Sequence, residues 1–149
     1  MGASAAVTLA LTLILATVSS VGAQDQGADH KVTIHVDEND PARMNMALNN
    51  IVNMRKYYDS VGETVDIELV AYGPGLHMLR ADTSPVAERI SVMSLEIDNL
   101  AFSACGNTHS VMSKKANKKV ELLDEASLVP SGVVRLVELQ EQGYSYIRP

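Results

Sequence analysis

The chain has 149 residues, with 12 Lys or Arg against 18 Asp or Glu, so its formal net charge is −6 at pH 7. It contains no Trp and one Phe, and its sequence pI is about 5.1. An acidic chain with so few large aromatic residues lacks the surface that binds nucleic acids, and we expect no nucleic-acid partner. Its one basic cluster is short and is interpreted as a solvated helix end; it comprises Lys114, Lys115, Lys118 and Lys119.

Residues 1–23 have the pattern of a secretory signal. An apolar run from Ala5 to Val18 precedes the small residues Val21-Gly22-Ala23, which predicts cleavage after Ala23. The core of this run is shorter than the ~20 residues of a membrane span. Because residues 1–4 carry no Lys or Arg, an uncleaved N-terminal membrane anchor is the alternative. The sequence thus predicts a periplasmic or secreted protein, with a flexible leader at 24–30, one domain at 31–149 and no other membrane association.

Strands and helices alternate along the rest of the chain. Alternating β-branched residues from Lys31 to Val36 predict a first strand. Asp40 can cap a helix that begins at Pro41 and presents an apolar face to about Ser60. The same rules predict, in order, a strand at 64–72, a helical turn at 76–79, a helix from 83 or 84 to 94, a strand at 100–104, a helix at 108–118, brief extended segments at 120–123 and 126–129, a helix at 133–142 and a strand at 144–147. This order predicts an α/β fold with a mainly parallel sheet, helices on both faces and right-handed crossovers.

The single cysteine, Cys105, follows the predicted third strand and precedes Gly106 and a helix start. An exported chain with one cysteine forms no internal disulfide, so the thiol is buried, paired between chains or reactive. A helix N-terminus favours the thiolate. We expect the amides of Asn107 and Thr108 to point at the sulfur, and one of these two side chains to cap the helix. A reactive or ligand-binding Cys105 is therefore predicted, and a small buried apolar side chain is the alternative.

His109 lies four residues after Cys105 and could share one side of the helix with it, where it would assist proton transfer. Zinc requires about four donors. The other histidines, His30, His35 and His77, are scattered along the sequence. We therefore expect neither a metal nor a cofactor.

Glycine-rich loops are predicted at the same edge of the sheet as Cys105. The segment Gly73-Pro74-Gly75 follows a strand and could hold an anion with its amides, although a plain turn is the alternative. It would meet Cys105 and the pair Ser131-Gly132 at the carboxyl ends of the strands, where open α/β sheets bind ligands.

Acidic residues follow the first predicted strand at this edge. We interpret Asp40 as a helix cap, and Asp37 and Glu38 as solvated side chains rather than an acid–base pair. Arg43 is expected to pair with Asp37 or Asp40, or to reach an anionic ligand.

Six short segments form a specific combination through their order and spacing. They are Asp40-Pro41-Ala42-Arg43, Leu48-Asn49-Asn50, Val70-Ala71-Tyr72-Gly73-Pro74-Gly75-Leu76, Ala104-Cys105-Gly106-Asn107-Thr108, Val129-Pro130-Ser131-Gly132-Val133-Val134 and Tyr146-Ile147-Arg148-Pro149. With them, the chain from about Lys31 to Pro149 resembles the DsrE/DsrF-like (YchN-like) family, and in particular an exported branch of uncharacterised members.

The resemblance implies a three-layer α/β/α fold around a mainly parallel five-stranded sheet, assembled into trimers or hexamers. In the better-understood cytoplasmic members, a cysteine after the third strand carries sulfur as a persulfide and relays it between proteins. Cys105 occupies the corresponding place. Those members lack an export signal and often work with partner subunits, so the fold carries over more firmly than the reaction.

We therefore hypothesise an exported sulfur carrier or sulfurtransferase-like protein that acts through a persulfide on Cys105, with a sulfur-donor or acceptor protein as its partner. The alternative is a non-catalytic oligomeric module that binds a small ligand or a partner peptide and has a structural cysteine. The predicted binding residues around Cys105 are Gly73, Gly75, Gly106, Asn107, Thr108, His109, Ser131 and Gly132.

Overall fold

The computed structural model describes residues 1–2 and 27–149, which form five strands, four α-helices and one 3₁₀ helix. The predicted signal beyond residue 2, the cleavage point after Ala23 and the start of the predicted leader lie outside the described residues. The strands are β1 (His30–Val36), β2 (Val65–Ala71), β3 (Leu100–Cys105), β4 (Ala126–Val129) and β5 (Ser145–Ile147). The helices are α1 (Pro41–Val61), the 3₁₀ helix (Gly73–Leu79), α2 (Ala87–Glu96), α3 (Gly106–Ala116) and α4 (Gly132–Glu141).

The five strands form one sheet in the order β4-β3-β2-β1-β5, and each neighbouring pair is parallel. The connections from β1 to β4 run in one direction across the sheet, whereas the connection from β4 to β5 returns across its whole width. Since parallel crossovers are right-handed, this places α1, α2 and α3 on one face and α4 on the other. The predicted α/β fold with helices on both faces is confirmed, and the sheet is wholly parallel.

The two faces of the sheet differ in how much hydrocarbon they bury. The face under α1 and α2 carries the main core, whose largest fully buried side chains are those of Phe102, Ile34, Met44, Leu48, Ile51, Leu69, Leu76, Met78, Leu79 and Ile90. The face under α4 has a buried apolar cluster of only three residues, Val70, Leu136 and Leu139. Most of the burial that stabilises the fold therefore lies on the α1 side.

Polar groups occupy much of the α4 face. Glu68 is buried and accepts hydrogen bonds from Arg135 of α4 at 2.8 and 2.7 Å and from the Ser103 hydroxyl at 2.6 Å. Burial alone would raise the pKa of Glu68, but these charged and hydroxyl donors outweigh it and lower the pKa. A paired charge thus joins α4 to the middle of the sheet.

Three helix starts differ from the predictions by two residues or more. The 3₁₀ helix begins at Gly73 rather than at 76. α2 begins at Ala87 rather than at 83 or 84, because both hydroxyls there satisfy groups in the preceding turns. Thr83 pairs with His77 at 2.8 Å, and Ser84 donates to the Met78 carbonyl. α3 begins at Gly106, directly after β3, rather than at Thr108.

The amino end of the domain also differs slightly from the prediction. Asp29 and His30 were assigned to a flexible leader, but His30 pairs with Val65 in the sheet. Asp29 accepts hydrogen bonds from the Thr64 amide at 2.8 Å and hydroxyl at 2.9 Å, which fixes this end of β1. Within the described residues, we find no helix long and apolar enough to cross a membrane.

Candidate functional site

Cys105 lies at the point where the chain leaves adjacent strands toward opposite faces of the sheet. The chain runs from β3 into α3 on one face, and from β4 into α4 on the other. Such a switch point opens a crevice beyond the carboxyl ends of the strands, which is where open α/β sheets bind ligands. The packing there is close, because a Cβ on Gly106 would lie 2.9 Å from the Val129 carbonyl oxygen.

Cys105 is buried, with 5% of its surface exposed. Burial alone would raise the pKa of the thiol. The nearby hydroxyl of Thr108 and the backbone amides of Thr108, Gly132 and Asn107 oppose this effect, and together they lower the pKa of Cys105 below its ordinary value. That the amides of Asn107 and Thr108 point at the sulfur stays a prediction.

Neither Asn107 nor Thr108 caps α3, contrary to the prediction. Because the helix begins at Gly106, both residues lie inside its first turn, and Cys105 is the capping residue, with no hydrogen bond from its side chain to the helix amides. The Thr108 hydroxyl instead accepts a hydrogen bond from the Gly73 amide at 2.9 Å. One hydroxyl thus connects the loop after β2 to the first turn of α3.

The glycines of the loop after β2 have steric roles. Gly73 has a φ of +53°, in the left-handed region that favours glycine. A Cβ on Gly75 would overlap the Val36 carbonyl and lie 2.8 Å from Cα of Asp37. Gly75 therefore lets the 3₁₀ helix pack directly against the end of β1.

Gly132 contacts both Cys105 and Tyr72. A Cβ at Gly132 would lie 3.0 Å from Cβ and Cδ1 of Tyr72 and 3.1 Å from Cβ of Cys105. The neighbouring Ser131 is the capping residue of α4, and its side chain makes no capping hydrogen bond. Gly132 thus brings the first amide of α4 to the sulfur because it lacks a side chain.

A cleft of about 470 Å³ lies between the 3₁₀ helix and α3. Asn107 and Thr108 are part of its wall, and Cys105 is not among its lining residues. Lys115 and His77 contribute the basic groups of the lining. Its other lining residues are Asn39, Gly73, Pro74, Val111 and Met112.

The sequence did not predict a second polar cluster, which lies at the ends of β1 and β5. His35 stacks on Tyr72, with ring centroids 4.5 Å apart, and its Nδ1 lies 2.7 Å from the Tyr146 hydroxyl. Arg148 binds the carboxylate of Asp37 at 3.0 and 3.1 Å. The period-two spacing of His35 and Asp37 could have indicated one shared face, but their partners lie 111 residues away.

The predicted partners of Arg43 are wrong. Its guanidinium lies 3.9 Å from the carboxylate of Glu38. Arg43 therefore pairs with a third acidic residue and not with Asp37 or Asp40. Asp37 is bound by Arg148 instead, and Asp40 caps α1 by accepting a hydrogen bond from the Ala42 amide at 2.8 Å. The role of Asp40 as a helix cap agrees with the prediction.

A sequence model of the DsrE/DsrF-like family matches residues 30–149. The chain belongs to the DsrE/DsrF-like family. None of the curated proteins matches it.

A solved structure has the same fold as this member of the DsrE/DsrF-like family. It is that of MTH1491, a protein of unknown function from Methanobacterium thermoautotrophicum. The two sequences are 33% identical, the match covers 81% of this chain and 100% of that one, and the TM-score is 0.70. The resemblance inferred from the short segments is thereby confirmed, and with it the fold.

His109 of this DsrE/DsrF-like chain is directed elsewhere than Cys105. Its Nε2 lies 2.7 Å from the Val120 carbonyl oxygen, and it lines a separate groove with Lys114 and Lys119. Among residues 27–149, no group of three or more His, Cys, Asp or Glu side chains is arranged to hold a metal ion. The structure therefore brings together Gly73, Cys105, Asn107, Thr108 and Gly132, and sets His109 apart.

Proposed function

We propose that this DsrE/DsrF-like protein carries sulfur as a persulfide on Cys105 and passes it between proteins of the cell envelope. The observation that supports the proposal is the position of Cys105 at the start of α3 and against Gly132 of α4, where the Thr108 hydroxyl and the amides of Thr108, Gly132 and Asn107 lower the pKa of its thiol. A thiol packed only as an apolar side chain would not require them. Donors of this kind stabilise an anionic sulfur, whether thiolate or persulfide.

The proposed step is an exchange at sulfur that needs no oxidant. The Cys105 thiolate attacks the outer sulfur of a persulfide on a donor protein. A bond forms between the two sulfurs, the donor's own S–S bond breaks, and the donor leaves as a thiolate. Transfer to an acceptor thiolate reverses these events. The negative charge stays on sulfur throughout, so the amides of Asn107 and Gly132 can stabilise the anion at each stage.

The cleft beside α3 is the proposed approach for the donor or acceptor. Lys115 lies in its wall and would attract an anionic persulfide. Since Cys105 is buried and does not line the cleft, transfer requires a displacement of the first turn of α3. Helix ends are the places where such local opening costs least.

The proposal includes export and self-association. Residues 1–23 supply the signal, and cleavage after Ala23 would release the domain to the periplasm or the medium. The side chains of Val133, Val134 and Val137 are exposed on α4, next to the switch point. Apolar side chains grouped in this way are typical of an interface between subunits, and we propose a trimer or hexamer formed through α4.

Intact-mass measurement tests the carrier role directly. The full chain is incubated with a polysulfide donor. A gain of about 32 Da, one sulfur atom, is expected because the Cys105 thiolate takes the terminal sulfur of the polysulfide, whose S–S bond breaks as the shortened polysulfide leaves as an anion. Cys105→Ser is the matched control, since Cys105 is the only cysteine. Absence of the adduct in the native protein, with its appearance after unfolding, would show that the sulfur is closed to donors.

A second candidate function is non-catalytic binding of a small anionic ligand. The cleft of about 470 Å³, with Lys115 and His77 in its wall, favours it. In that case thiosulfate or a nucleotide would raise the melting temperature, and Cys105→Ser would not change the effect. Loss of the effect in Lys115→Ala would locate the ligand in the cleft.

A further inference from the structure

His35 has one imidazole nitrogen satisfied and one free. The residue is 4% exposed. Its Nδ1 lies 2.7 Å from the Tyr146 hydroxyl, whereas its Nε2 is buried with no hydrogen-bond partner among the described residues. Buried polar atoms are normally paired, so a lone buried nitrogen indicates a partner that is not part of the protein.

A small cavity lies at the end of β1, and His35 is one of the residues that line it. Its volume of about 10 Å³ is that of about one water molecule. Its lining includes His35, Asp37, Glu38 and Arg43, so the walls are polar. Oδ2 of Asp37 lies 4.0 Å from Nε2. That separation is too long for a direct hydrogen bond and suits a single bridging water.

We infer that His35 and Asp37 form a second polar site, which holds one water molecule and positions Tyr72 beside Cys105. In this site the Tyr146 hydroxyl donates to Nδ1 of His35. Nε2–H then donates to the water, and the water donates to the Asp37 carboxylate. Each donor in this series of hydrogen bonds has an acceptor. The series therefore fixes the tautomer and the plane of the His35 imidazole.

The orientation of the His35 ring reaches Cys105 through two contacts. The ring stacks on Tyr72 with centroids 4.5 Å apart and an interplanar angle of 26°. Tyr72 in turn packs against Gly132, which also packs against Cys105 and whose amide is one of the groups that lower the pKa of the thiol. His35 is therefore a positioning residue, because it touches neither the sulfur nor a transferred group.

Burial keeps His35 neutral near pH 7. It lowers the pKa of His35; the carboxylate of Asp37 raises that pKa by less, and the cation of Arg148 lowers it. The other titratable or charged groups near His35 are the hydroxyls of Tyr72 and Tyr146 and the side chains of Glu38 and Arg43. A neutral imidazole with one N–H matches the hydrogen-bond chain described above.

The site itself is tested by NMR on the full chain labelled with ¹⁵N. Long-range proton–nitrogen correlations at pH 7 are expected to show His35 protonated at Nε2 and not at Nδ1, and its ring protons to receive magnetisation from a long-lived bound water. Protonation at Nδ1, or the absence of bound water, would overturn the site. Neither result depends on any sulfur chemistry at Cys105.

The positioning role is tested by the pH dependence of Cys105 alkylation. His35→Ala removes the stack on Tyr72 and is expected to raise the midpoint by about 0.5 pH units, a roughly threefold loss of thiolate below the midpoint. His35→Phe restores the ring face and should recover most of the shift. An unchanged midpoint in His35→Ala, with the fold retained by circular dichroism, would overturn the role.

A matched control exists at the opposite end of β1. His30 stacks on Tyr58 with ring centroids 3.9 Å apart, far from the thiol. His30→Ala should leave the alkylation midpoint unchanged. This role rests on the proposed function only in requiring a reactive Cys105. A wild-type thiol that alkylates at no pH would contradict the carrier function, and the NMR result would still decide the water site.

Discussion

The hydroxyl of Thr108 accepts a hydrogen bond from the amide of Gly73 at 2.9 Å. The same hydroxyl is one of the groups that lower the pKa of the Cys105 thiol. It links the loop that begins at Gly73 to the first turn of α3, so we expect the ionisation of the thiol to depend on the position of that loop.

Thr108→Val should therefore weaken both the thiolate and the fold. Loss of the hydroxyl is expected to raise the pKa of Cys105. Because the Gly73 amide also loses its hydrogen-bond acceptor, the free energy of unfolding should fall by about 1–3 kcal/mol. The first effect is measured by alkylation rate against pH and the second by urea unfolding. Thr108→Ser keeps the hydroxyl and is expected to resemble the wild type in both. A Thr108→Val thiol with the wild-type midpoint would show that the amides suffice.

Gly132→Ala should disturb the thiol by crowding it. The new methyl group would lie 3.0 Å from Tyr72 and 3.1 Å from Cβ of Cys105, tighter than ordinary contacts. We expect a loss of about 1–3 kcal/mol in the free energy of unfolding, together with a raised pKa of Cys105 as the Gly132 amide withdraws. Gly27→Ala, where a Cβ meets nothing within 4 Å, is the control. Equal stability of the two variants would contradict the packing described here.

The Glu68–Arg135 pair should make stability depend on pH. Because the pKa of Glu68 is lower in the folded protein than its usual 4.5, its contribution is complete above that value and is lost as the pH falls through the folded pKa. Arg135→Ala should cost about 3–5 kcal/mol at pH 7, since it leaves a buried carboxylate without its cation.

The measurement for this pair is urea unfolding at pH 7 and pH 3. The difference between the two pH values should shrink in Arg135→Ala. Asp59→Asn, which removes an exposed ion pair with Arg55 on α1, is the control and should change the free energy of unfolding by less than about 0.5 kcal/mol. A cost for Arg135→Ala as small as that of the control would contradict a buried, hydrogen-bonded pair.

Val137→Lys should separate the proposed subunits. The Val137 side chain is 50% exposed on α4, so lysine is expected to be tolerated in the monomer, while its charge would oppose burial against a second copy. Sedimentation velocity should then show a smaller species than the wild type. Leu95→Lys on α2, on the other face of the sheet, should keep the wild-type size. A wild-type monomer, or an unchanged Val137→Lys assembly, would exclude an interface through α4.

The fold was predictable because its signals are local and repeated. Apolar periodicity, the cap at Asp40 and the alternation of strands and helices identified all five strands to within a residue or two. The start of α3 was placed two residues late, because Gly106 suggests a turn by composition. Here it begins the helix, since only a residue without a side chain fits against the Val129 carbonyl.

The sequence could predict only those parts of the site whose residues are brought together by the strand topology. Cys105, Gly73 and Gly132 could be grouped because the carboxyl ends of parallel strands share one edge. The contact of Arg148 with Asp37, and that of Tyr146 with His35, depend on β5 returning to lie beside β1, and no local pattern reports that return. The burial of the Cys105 sulfur and the diversion of His109 to the Val120 carbonyl likewise depend on side-chain packing.

The unequal hydrocarbon content of the two sides of the sheet has a consequence for how this protein tolerates change. Most of the buried apolar side chains that stabilise the fold lie under α1 and α2. Cys105, Tyr72 and His35 lie on the α4 face, which buries fewer apolar side chains. Substitutions beneath α4 can therefore change the reactivity of Cys105, while the core under α1 and α2 continues to stabilise the fold. Relatives with this architecture are free to diverge in reactivity long before they diverge in shape.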